Sequence, residues 1–187
     1  MKRRLLFAAL ILILCFGMFG CGETYDSLAE DQATIENPAD PTEKVTIEDW
    51  AGVFSIQLDN TYVGDAATDY LVSIGENEGN FANDVEGYKL VVQEYTVTTE
   101  EGYEEEPFYY ADVIGAAMWD VDHESKYEFA VYDLYENASL DYYQLEMGPN
   151  ETSKMYFVFE IEEDVDEFIS GTTGYNRDFW FIYDVSE

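Results

Sequence analysis

From Met155 to Ile161 the chain reads Met-Tyr-Phe-Val-Phe-Glu-Ile. Met155, Phe157, Phe159 and Ile161 fall on one side of an extended backbone, and Glu160 and Glu162 fall on the other. Apolar side chains at every second residue specify a strand with one buried face, and this period recurs along most of the chain after Val45. Phe54, Ile56 and Leu58 share a face opposite Ser55 and Gln57, a shorter run spans Tyr70 to Ile74, and Tyr127, Phe129 and Val131 alternate with Glu128 and Ala130. Tyr88 to Thr98 is almost continuously apolar in its first half, as expected of a central strand covered on both sides. Phe108 to Trp119 is the expected partner across the acidic loop Thr99 to Glu106, a weaker run covers Leu140 to Met147, and Phe179 to Val185 is the last strand. Between the final two strands, Val165, Phe168 and Ile169 stand at helical spacing and predict one helical turn as a crossover, ended by Gly171 and Gly174. Roughly seven or eight short strands with no long helical period imply an all-β antiparallel sandwich.

The first residues imply export. Met1-Lys2-Arg3-Arg4 is followed by an apolar run from Leu5 to Phe16 and then Gly17-Met18-Phe19-Gly20-Cys21. A basic start and a short apolar stretch make a signal peptide, because a membrane-spanning helix needs roughly 20 apolar residues. Met18-Phe19-Gly20-Cys21 is similar to the lipobox of bacterial lipoproteins, in which the cysteine thiol receives a diacylglycerol and the leader is cut before it. The expected organisation is a signal peptide over 1–20, lipidated Cys21 with a flexible acidic linker over 21–44, and one domain over 45–187. Cys15 lies inside the leader, so Cys21 is the only thiol of the processed chain and no intramolecular disulfide is available. A domain of this size without bridges relies on core burial.

Without the leader, Lys44, Lys89, Lys126, Lys154 and Arg177 oppose all 41 acidic residues, a net charge of −36. Such a surface repels nucleic-acid phosphates and anionic headgroups and attracts cations or basic partners. Nucleic acid is therefore excluded as a ligand. The segment Gly22 to Lys44 is acidic, poor in apolar residues and broken by Pro38 and Pro41, the composition of an extended tether.

From the long strand beginning Gly87-Tyr-Lys-Leu-Val-Val to the stretch Leu145 to Ile161, the order of features resembles the immunoglobulin-like extracellular domains of unknown function carried by lipoproteins of Gram-positive bacteria. The matching residues are Leu145, Gly148, Pro149, Glu151, Thr152, Val158, Phe159, Glu160 and Ile161, and the likeness extends over about Ala51 to Val185. It implies an immunoglobulin-like sandwich at the extracellular face of the cell membrane, anchored through lipid on Cys21. Those domains offer no catalytic residues to carry over.

Candidate chemistry is sparse. His123, the one histidine, lies in Trp119-Asp120-Val121-Asp122-His123-Glu124. Asp120, Asp122 and Glu124 are calcium candidates, since calcium takes about six to eight oxygens, but the loop lacks the glycine and terminal glutamate of an EF-hand. A solvated acidic turn is the simpler reading. One imidazole and one thiol do not build a usual zinc set or a nucleophile-base pair. Tyr103, Tyr109 and Tyr110 beside Glu104-Glu105-Glu106 are candidates for holding a cationic ligand, a basic peptide or a sugar. The simpler role is packing by tyrosines and edge protection by glutamates. The chain is thus expected to be a non-enzymatic binding or structural module without a cofactor. The alternative is an extracellular glycan hydrolase using two carboxylates about 5–10 Å apart.

Overall fold

The computed structural model describes residue 28, residues 31–49, 52–81, 86–100, 108–109, 118–119, 121–122, 130–131, 136, 146–173 and 177–186. Ten strands occur among them: β1 Val45–Asp49, β2 Gly52–Val63, β3 Tyr88–Thr99, β4 Phe108–Tyr109, β5 Met118–Trp119, β6 Ala130–Val131, β7 Glu146–Met147, β8 Thr152–Glu162, β9 Glu167–Thr173 and β10 Asp178–Asp184. One helix, α1, spans Asp65–Ser73, and a single 3-10 turn spans Glu78–Asn80. The fold is mostly β and every strand pairing is antiparallel. The larger sheet has the order β1-β2-β3-β8-β6, the second β10-β9-β5, and β4 pairs with β7 alone.

Strand β3 occupies the centre, as its continuous apolar run predicts. Leu90, Val91 and Val92 are all buried because both faces of the larger sheet are covered. On one face Val91, Tyr95 and Val97 join Phe54, Ile56, Leu58, Met155, Phe157, Phe159 and Ile161, and these pack on Phe168 of β9 and Phe179, Phe181 and Tyr183 of β10. On the other, Leu90, Val92, Tyr156 and Val158 meet Ala67 and Leu71 of α1 together with Phe81. The predicted partner of β3 over Phe108 to Trp119 is not its neighbour. The long alternating strands β2 and β8 take both edges of β3, while the described parts of that stretch, β4 and β5, pair with β7 and β9.

A bulge re-aims the end of β2. Leu58 faces Tyr95 and Asn60 faces Glu94, which leaves Asp59 as an extra residue. An inserted residue reverses the alternation beyond it. Leu58 therefore enters the inter-sheet core, Tyr62 reaches the helix side, and Val63 returns to the inter-sheet core.

Two local expectations are corrected. The run Tyr70 to Ile74 was expected to be extended and is the end of α1 and its cap. Ala67 and Leu71, four residues apart, form the buried stripe of the helix, a signal that a five-residue window conceals. The helix ends in a Schellman arrangement: Gly75, at φ 98°, donates its N–H to the Val72 carbonyl, and Glu76 donates to that of Leu71. The second correction concerns Val165, Phe168 and Ile169, where a helical turn was expected. A tight turn follows β8 instead, and Phe168 and Ile169 lie in β9, opposite Tyr183 and Ile182. Burial on both sides of β9 produces the adjacent apolar pair that imitates helical spacing. Gly171 does not end this element but lies within it, opposite Trp180.

Residues ahead of Val45 also join the fold. Ala33 is completely buried and its carbonyl accepts from Trp180 N at 2.8 Å. Ala39 forms a parallel bridge with Phe181, donating to the Trp180 carbonyl at 2.9 Å and accepting from Ile182 N at 3.0 Å. Residues 33–41 thus strap the outer edge of β10, and Pro41 O takes Leu58 N at 2.7 Å to join that strap to β2. Low apolar content concealed this docking, because it is made by backbone groups and two alanines.

A β-carbon at Gly171 would lie 3.0 Å from Trp180 Cε3 and 3.1 Å from Cδ2. Gly171→Ala should therefore lower unfolding stability by about 1–3 kcal/mol, read as a shifted urea midpoint with unchanged slope. Adding Trp180→Leu should recover part of the loss; an unshifted midpoint for the single variant would contradict this cross-strand contact.

Candidate functional site

The strap closes one side of a groove of about 470 Å³, a volume within the usual range for ligand sites. Its apolar lining comes from three elements: Pro41 of the strap, Leu58 and Val63 of β2, and Ile182 of β10. These four are buried or half-buried. Exposed carboxylates of Asp40, Glu167 and Asp184 join them, with the hydroxyls of Thr42, Thr61 and Ser186. No lysine or arginine is among the lining residues.

Two of these carboxylates are fixed by short local bonds. Asp40 Oδ1 accepts from Thr42 N at 2.8 Å and Thr42 Oγ1 at 2.7 Å. Asp184 Oδ1 accepts from Ser186 Oγ at 2.6 Å and Ser186 N at 2.9 Å. The Ser186 hydroxyl, followed by its N–H, holds the Asp184 carboxyl below its ordinary value. Asp184 is consequently anionic at neutral pH. Strap placement depends on Gln57 as well, whose Nε2 donates to Thr42 O at 3.0 Å.

A second polar cluster lies on the helix side of the larger sheet. Lys154 Nζ donates to Asp59 Oδ2 at 2.5 Å and to Glu94 Oε1 at 2.9 Å. Tyr70 OH donates to Glu94 Oε2 at 2.6 Å, and Thr96 Oγ1 donates to Asp59 Oδ2 at 2.7 Å. Tyr70 stacks on Tyr62 with ring centroids 4.0 Å apart and meets Tyr156 at 5.7 Å. Burial, and then the bond to Glu94, pushes the Tyr70 phenol far above its ordinary value. These groups satisfy one another and fasten α1 to three strands, so the cluster reads as a latch rather than a receptor.

Most residues singled out from sequence fall outside the described set: Cys21, Tyr103, Tyr110, Asp120, His123 and Glu124. Asp122 lies in an exposed turn, and Tyr109 lies in β4 opposite Glu146. Among the described residues no group of three or more His, Cys, Asp or Glu side chains is arranged to hold a metal. Sequence reasoning missed the groove altogether. Its lining residues are spread from Asp40 to Ser186, and no local motif joins them.

No protein-family model matches the chain. No curated protein matches it either. Among solved structures, a putative lipoprotein from Staphylococcus aureus subsp. aureus NCTC 8325 aligns with a TM-score of 0.44 at 11% identity, covering 78% of this chain and 95% of that one. A likeness at that level leaves function to be read from the residues of this chain.

Ser186→Ala removes the larger of the two bonds holding Asp184 ionised, so the Asp184 carboxyl should titrate closer to its ordinary 3.8. A group lowered on folding contributes stability above its unfolded value and loses it as pH falls through the folded value. The small stability difference between wild type and variant should therefore be present at neutral pH and fade on acidification below about pH 4. Carboxyl NMR titration checks the first statement and denaturation at several pH values the second; an unmoved Asp184 titration would remove the assigned cause.

Proposed function

We propose that the protein is exported, cut before Cys21 and held by lipid on that residue at the extracellular face of the cell membrane. There its immunoglobulin-like sandwich serves as a binding module rather than an enzyme. The groove is the observation that carries the binding role: apolar side chains from three elements stand beside the carboxylates of Asp40, Glu167 and Asp184, two of which are held by local bonds. Two antiparallel sheets meeting through one aromatic core support the sandwich reading. The leader and Gly20-Cys21 support the anchor. Among the described residues no helix is long and apolar enough to cross a membrane.

Glycan hydrolysis is the weaker reading. It needs a carboxyl of raised pKa facing an ionised partner, and Asp184, held low by Ser186, suits only the ionised role.

Growth with a fatty-acid analogue should label the wild-type protein and leave Cys21→Ala unlabelled. The variant should also move from the membrane fraction to the soluble exported fraction. Label retained by Cys21→Ala would refute the assigned attachment point.

A further inference from the structure

The strap gives the groove a direction. Arg177 Nη1 donates to Gln32 O at 2.8 Å and Nη2 to Leu28 O at 3.2 Å, so the strap residues nearest Cys21 are held beside the start of β10. From there the strap runs parallel to β10 through the Ala39 bridge to Phe181. It reaches the groove at Asp40 and Thr42, where Asp184 ends β10. The strap is thus held by Arg177 beside the start of β10, and the groove lies at the other end of that strand, beside Asp184.

We propose that this groove docks an extended basic segment of a protein partner, inserting lysine or arginine side chains. The inference rests on the binding-module reading and names its partner. Charge complementarity selects the occupant, because Asp40, Glu167 and Asp184 line the groove with no basic residue among them. The apolar lining fits the methylene stems of those side chains, which bury hydrocarbon while the charged head reaches acceptors. Leu58, Val63 and Ile182 supply that lining, and Thr61 and Ser186 add hydroxyl acceptors. A bare metal ion would use none of the apolar surface. Anionic lipid headgroups and nucleic acids are repelled by the same charges.

The test uses the full-length protein in nonionic detergent and a fluorescein-labelled tetralysine peptide, followed by anisotropy at low salt. Wild type should bind saturably, and tetraglutamate should not bind. Combining Asp40→Asn, Glu167→Gln and Asp184→Asn removes the charge with little change of shape and should weaken binding by about tenfold or more. A matched variant with Asp69→Asn, Glu78→Gln and Asp178→Asn, exposed acids outside the groove, should stay within about twofold of wild type. Thr61→Trp, with its fold checked by circular dichroism, should obstruct the peptide without altering charge. The proposal fails if wild type does not bind, if the two triple variants lose affinity equally, or if folded Thr61→Trp binds like wild type. Cys21→Ala tests the anchor apart from the groove: unchanged peptide affinity with retained fatty-acid label overturns the anchor and leaves the groove standing. Lost label with no peptide binding by either form does the reverse.

Discussion

Burial of the larger sheet on both faces is the constraint from which the rest of the structure follows. β3 is enclosed at its edges by β2 and β8 and on its faces by the second sheet and α1. An aromatic chain crosses between the sheets: Phe157 lies 4.8 Å from Phe159, Phe159 meets Phe168 edge-on at 5.8 Å, and Phe168 stacks on Tyr183 at 5.0 Å. Each such pair adds about 0.5–1.5 kcal/mol beyond the burial of its area. That matters in a chain with only two cysteines, and so with at most one intramolecular disulfide to reduce the entropy of its unfolded state.

This core carries polar groups. Tyr95 OH donates to Gln93 Oε1 at 2.7 Å, while Gln93 Nε2 is buried with no hydrogen-bond partner among the described residues. An unmade bond of that kind costs about 1–3 kcal/mol. Burial pushes the Tyr183 phenol upward, and its hydrogen bond with Tyr95 works in the opposite direction. The aromatic packing is what the fold sets against these costs. On the far side of the sheet, Tyr70, Glu94, Lys154 and Asp59 meet most of each other's polar needs, and the bulge at Asp59 brings that carboxylate to Lys154.

Strands with one strict apolar face were legible in advance. Phe54, Ile56 and Leu58, and Met155 through Ile161, enter the inter-sheet core as their period requires, and the unbroken apolar run of β3 announced its central place. Local windows failed where burial was two-sided or short. Phe168 and Ile169 imitate a helical face because both sides of β9 are covered, and α1 offers only Ala67 and Leu71 as fully buried residues. The groove left no trace in the sequence. Its acids look like any others in a chain with 41 of them, and only Ser186 and Thr42 distinguish Asp184 and Asp40.

Sequence by itself determined the strand periods, the acidic balance and the basic-then-apolar order of the first residues up to Gly20-Cys21, because each depends on residues adjacent in the chain. Tertiary structure decided which strands flank β3, where the bulge reverses β2, and that residues 33–41 fasten to β10. Those outcomes depend on backbone hydrogen bonds and on contacts between distant residues, such as Arg177 with Gln32 and Pro41 with Leu58. Backbone groups are the same at every position, so their partners become identifiable only once the chain has folded.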